Sequence, residues 1–205
     1  MDAVEIVGLA ASVSLLAGWR LYLCVFVTGL AMKTGWIELP THLAALSALS
    51  NPWILGAAFV GLVAEFFADK VAWLDSLWDS VHTFVRPVGG ALLSLAIVDA
   101  GDPVWQMLAF LLGGGGALLT HSAKAGSRAL VNTSPEPLSN VIVSSIEDVA
   151  TGGLLALAVA YPAAAIGVAL VLVAFAVVLI LLARRALRAL RRLGRRLVPA
   201  ADDRG

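Results

Sequence analysis

Charge is scarce in this sequence. Of its 205 residues only 14% are charged, against 60% that are hydrophobic, and the mean hydropathy is +0.92. A soluble domain carries roughly 45–50% apolar and about 25% charged residues. That scarcity excludes an ordinary soluble core and makes the bilayer the natural solvent. Cysteine is nearly absent as well. With Cys24 alone, no intrachain disulfide, CxxC redox pair or thiol-based metal site can form. Lying in an apolar run, Cys24 reads as a small buried hydrophobe. Catalytic signatures are missing too. The glycines at 113–116 lack the lysine-and-hydroxyl ending of a phosphate-binding loop. No GxSxG elbow or HExxH pair occurs, and His42, His82 and His121 are dispersed. The chain reads as a non-enzyme, and nucleic acid is not an expected partner.

What is present is a series of long apolar runs. A hydrocarbon core of roughly 30 Å takes about 20 apolar residues in a helix. The first run, 6–32, is interrupted at Gly18-Trp19-Arg20. Its acidic start, Asp2 and Glu5, does not fit a cleavable signal, so it is expected to be retained. A loop at 36–40 and a short apolar piece at 42–49 follow. Asn51-Pro52 has the form of a helix cap and first helical position, opening a second span over 52–68. The stretch 65–86 is neither plain loop nor plain span. Its Trp73, Leu77, Trp78 and Val81 predict an interfacial or re-entrant helix, and Pro87 permits a break before a short third run, 88–98, which spans only if it borrows from the preceding helix or is a broken span buried in protein. Spans at 104–122, 138–160 and 163–182 complete an all-α, polytopic membrane helical bundle of about six segments. Residues 1–183 form the membrane domain and 184–205 an Arg-rich tail. Glycines 113–116 predict close helix approach or local unwinding.

The basic residues are unevenly placed. Seven of 14 lie between Arg184 and Arg196. Lys70, Arg86, Lys124 and Arg128 fall on the same side as the tail in a six-span topology, while Lys33 stands opposite with Glu38, Asp99 and Asp102. For six spans the positive-inside rule then predicts both chain ends in the cytoplasm, whereas a five-span count would leave the N-terminus outside. The tail arginines, with Arg184, Arg185 and Arg188 leading, and Arg128 are expected on lipid headgroups.

Ionisable groups at membrane depth point to function by default. Glu65 and Asp69 share a helical face four residues apart, and Glu147-Asp148 lie near the middle of the fifth span. These four are the expected cation or proton site, since carboxylate oxygens suit hard cations and crowded carboxylates titrate near neutrality. Asp75, Asp79 and His82 recur on one face and offer a gate or a metal site, with a bound metal cation as the one cofactor this set could hold. Arg20, Lys70, Arg86 and Lys124 are the available ion-pair partners.

The segments Glu65-Phe66-Phe67-Ala68-Asp69-Lys70 and 75–87 resemble the bacterial membrane family catalogued as domain of unknown function 4126. Asn132-Thr133-Ser134-Pro135-Glu136-Pro137 and Glu147-Asp148-Val149 look like its second signature. The similarity spans about 8–161 and implies a compact multi-span protein without supplying a function. A fainter similarity is to cation/proton exchangers with a Glu-x-Gly-Asp-Lys motif in each of two repeats. Here the acids are four apart rather than three, the glycine is missing, and no second copy exists. Two functions stay open. One is a small cation transporter or channel, with or without proton coupling, that works through intramembrane carboxylates. The other is a non-transporting membrane subunit or scaffold that packs in a larger complex or binds lipid or pigment. A lipid bilayer and a homo-oligomeric or membrane-complex partner accompany either.

Overall fold

The computed structural model describes residues 3–35, 47–98, 102–132 and 137–197. The loop expected at 36–40, most of the piece at 42–49 with His42, the 99–101 turn and the end of the tail lie outside these residues. Six helices follow in order: α1 (Ala3–Lys33), α2 (Pro52–Ala68), α3 (Ala72–Val98), α4 (Pro103–Val131), α5 (Pro137–Ala160) and α6 (Pro162–Leu197). All but α2 are long and apolar enough to cross a membrane. The protein is a multi-pass helical membrane protein.

Local sequence explains where the helices start. Four of the six open on proline, whose fixed φ suits the first turn and whose missing N–H has no intrahelical use there. Asn51 caps α2 by accepting from Trp53 N at 2.9 Å, and Asp102 caps α4 by accepting from Val104 N at 2.7 Å. Past the end of α1, Gly35 takes a left-handed φ of 72°. The third element takes one of the two expected forms, the short run borrowing from the helix before it. α3 runs unbroken through Pro87, so the tryptophan-bearing stretch is the first half of one 27-residue helix. Proline removes one rung of the ladder, but a span packed against neighbours tolerates that loss.

α1 is the central element and packs against all five others. It is not straight. Arg20 has φ −143° and ψ 78°, outside the helical region. Before it, Ser14 donates to the carbonyl of Gly90 and the Gly18 carbonyl faces Arg86, so this half runs antiparallel to α3. Beyond it, Leu21 packs at Gly89, and Val25 lines one groove with Leu92, Leu93 and Ala96. Residues 21–33 therefore run back along α3, beside α2, where Tyr22 meets Gly61 and Phe26 meets Phe59. The first apolar run is a folded pair with Arg20 at its tip.

This fold-back corrects the expected topology. Gly8 lies against Ile166 and Trp19 against Phe175, so 3–19 runs parallel to α6. The first and last spans of a six-pass bundle would be antiparallel. The start of α1 and the end of α6 therefore lie at opposite ends, rather than both on one side. α6 itself continues as helix across the 183/184 boundary to Leu197.

The interior is lined by stripes at helical spacing. α3 buries Asp75, Asp79, His82, Arg86 and Gly90, while Trp73, Leu77, Phe84 and Val88 face outward. α4 buries Gly113, Ala117, His121, Lys124 and Arg128. The glycine run stays helical. Gly113 and Gly90 let α3 and α4 approach closely, since a Cβ on Gly90 would stand 2.5 Å from that of Ala117.

Candidate functional site

Ten charged side chains from α1–α5 converge at the end of the bundle from which the arginines of α6 continue. Arg20 arrives there because the break in α1 puts it at the tip of the folded pair. Glu65 and Asp69 arrive at the end of α2, and Asp75, Asp79 and Arg86 on the first half of α3. Lys124 and Arg128 come from the last turns of α4, and Glu147 and Asp148 from the first half of α5. Glu65, Asp69, Arg86 and Lys124 are 0% exposed, and only Asp148, at 24% side-chain exposure, is appreciably open.

Ion pairs join these ten residues into one network. Arg86 Nη2 holds Glu65 at 2.5 Å and its Nη1 holds Asp79 at 3.2 Å. Lys124 Nζ is 2.9 Å from Asp69 and 3.8 Å from Glu65. Arg20 pairs with Asp69, and with Asp148 at 3.1 Å and Glu147 at 3.5 Å. Arg128 reaches Glu147 at 2.8 Å and Asp69 at 3.4 Å, and comes only to 4.0 Å from Asp75. The four expected site carboxylates thus surround Arg20, Arg128 and Lys124. Each one has a resident cation, so they do not form a bare oxygen cage.

A neutral polar layer borders the network. Thr83 and Arg86 flank the His121 ring at 2.9 and 2.7 Å. Tyr22 is 3.0 Å from His82, which also stacks on Trp78. Asn132 donates to Asp75 at 2.8 Å. Asp75, Asp79, Thr83, Arg128 and Asn132 line a polar cavity of ≈ 230 Å³ between α3 and α4. Several buried atoms have no hydrogen-bond partner among the described residues. They include Glu65 Oε2, Asp69 Oδ1 and Asp75 Oδ1, and the Nε atoms of Arg20, Arg86 and Arg128.

Some expectations fail. Asp75, Asp79 and His82 do share an inward face, but Asn132, Arg86 and Tyr22 take them separately. Among the described residues no three His, Cys, Asp or Glu side chains are placed to hold a metal. Arg128 is not a headgroup contact, because it is 1% exposed and inside the network; its helical phase with His121 and Lys124 turns it inward. Arg184, Arg185 and Arg188 do lie on the exposed surface. Lys70 makes no ion pair among the described residues. Its Nζ sits 3.2 Å from the Phe66 ring centroid and donates to Ser144 Oγ at 3.4 Å. Tyr22 was not singled out in the sequence, and Thr83 and Asn132 entered only as members of the segments that resemble the family, with no role assigned to them. The 121/124/128 spacing was the signal that α4 carries its cations inward.

Residues 7–181 match the family described as Domain of unknown function (DUF4126), and the chain belongs to it. No curated protein and no solved structure matches the chain.

Proposed function

We propose that this protein is a small proton-coupled membrane transporter for a cation, with the buried network as its coupling centre. One observation carries the reading. The network joins six carboxylates, Glu65, Asp69, Asp75, Asp79, Glu147 and Asp148, to four cations, Arg20, Arg86, Lys124 and Arg128. Six minus four leaves two negative charges uncompensated if all are ionised, or one if the bordering Lys70 is counted. Uncompensated charge in a low-dielectric interior is removed by binding a proton or a cation. Stability does not account for such a network, since desolvation costs several kcal/mol per ion and apolar packing often does as well. Asp75 is the carboxylate held least by its neighbours, with its nearest cation at 4.0 Å and one oxygen unpartnered.

The arginine-bearing end of the bundle is cytoplasmic by the positive-inside rule, in a bacterial inner membrane, and a chain this small fits a homo-oligomer. The test is proton occupancy and flux. Carboxyl infrared absorption should reveal a group titrating in the neutral range, and Asp69→Asn and Glu147→Gln should shift it. In proteoliposomes a proton gradient should drive uptake of at least one member of a panel of alkali, divalent and organic cations. No flux for any cation, or flux unchanged in both variants, would sink the reading. The completeness of the pairing favours a second reading, a non-transporting subunit or scaffold. Stoichiometric co-purification with a membrane partner, together with absent flux, would select it.

A further inference from the structure

A second site lies beside the network, on the side facing the bilayer. Among the described residues α4 and α5 hardly touch. Between them, floored by α1 and α6, a groove of ≈ 510 Å³ is lined by Leu16, Trp19, Leu154, Leu172 and Phe175. That volume is in the range of small-molecule sites, about 300–1,000 Å³. The groove opens outward at Ile146, which is 62% exposed. Its surface is apolar except at one place. Glu147 is the only ionisable residue in the lining, with the hydroxyl residues Ser127 and Thr151 nearby. The ion pairs of Glu147 with Arg128 and Arg20 are made through Oε2. Among the described residues Oε1 makes no such contact, on a residue that is 7% exposed.

An apolar trough that ends on a carboxylate, one of whose oxygens is not engaged by a cation among the described residues, selects a particular occupant. Its body must be apolar, because away from Glu147, Ser127, Thr151 and the Trp19 indole the described lining is aliphatic or phenyl. Its head must donate a hydrogen bond and carry positive charge, because the acceptor is anionic and the network behind it has more carboxylates than cations. An anionic head would meet Glu147 directly. We propose that the groove is a lateral binding site for an amphipathic ammonium compound, which reaches Glu147 from the bilayer between α4 and α5. This rests on the transporter reading and gives its cation a chemical class.

The test uses the purified full chain in zwitterionic nanodiscs, with a long-chain alkylamine brominated on its chain as probe. Bromine quenches the tryptophan it touches, and Trp19 lines the groove. The amine should quench saturably. The brominated fatty acid and alcohol of the same length should bind at least tenfold more weakly. Glu147→Gln should weaken amine binding about tenfold. Ala150→Phe, at an exposed position on the groove wall, should weaken it by occlusion without removing a charge. Equal binding of amine, acid and alcohol would overturn the proposal, leaving a seam filled by ordinary lipid chains, and so would full amine affinity in both variants. The infrared titration is read independently. A titrating network with no amine selectivity would remove the substrate class and keep the coupling reading.

Discussion

Along the same helix faces, the interior of this bundle is built in two chemistries. The inward stripe of α3 reads Asp75, Asp79, His82 and Arg86, then Gly90, Leu93, Ser94 and Ile97. That of α4 reads in reverse, from Ala109, Gly113 and Ala117 to His121, Lys124 and Arg128. α5 passes from Asn140, Ser144 and Glu147 to Leu155 and Ala158. Because α3 and α5 run against α4, the polar halves stack at one end and the small apolar halves at the other. The apolar end is held by close packing, as a membrane interior allows. The polar end is held by ion pairs that share their partners. A lost contact at one end costs packing, and at the other it leaves a buried charge without its partner.

The largest effect expected from breaking that contrast comes at the polar end. Arg86→Met leaves Glu65 and Asp79 buried without their main cation. It should destabilise the protein by about 3–5 kcal/mol, the cost of breaking a buried pair from one side. Adding Glu65→Leu should recover a large part of that loss. Thermal unfolding in detergent of the two variants checks the pair of values, and a double variant no better than the single would show that charge balance is not the controlling term. Next comes the apolar end. Gly90→Val forces a Cβ against Ala117 and should cost about 1–3 kcal/mol, as overpacking does, in the same unfolding assay. Thr83→Val removes the contact with His121 at 2.9 Å. A loss of roughly 0.6 to 1.7 kcal/mol is expected for such a bond between membrane helices. The smallest effect belongs to Gly115→Ala, where an added Cβ meets nothing within 4 Å. Its stability should stay within about 0.5 kcal/mol of the wild type. A Gly115 variant as damaged as the Gly90 one would mean that the glycine run serves flexibility rather than approach.

Much of this was legible in the chain. Apolar run length and the prolines at 52, 103, 137 and 162 determined where helices begin and roughly how many there are, because both act through local backbone and solvent physics. The interruption at Arg20 and the shared face of Asp75, Asp79 and His82 were visible as a charge in an apolar run and as helical spacing. Whether the chain breaks at Pro87 was open in the sequence, because its local cost is small against the packing that holds α3 in one piece. The direction of α1 after Arg20 was also beyond reach, since a single non-helical residue sets it. Only the tertiary structure decided which carboxylate meets which cation. Arg20 and Asp69 are 49 positions apart, and Arg86 and Glu65 lie on different helices. Coulomb attraction depends on distance in space, and packing alone sets that distance. The sequence by itself put too many acids into a membrane; the fold decided that they would share their cations and that Glu147 would meet Arg20 and Arg128 through one oxygen.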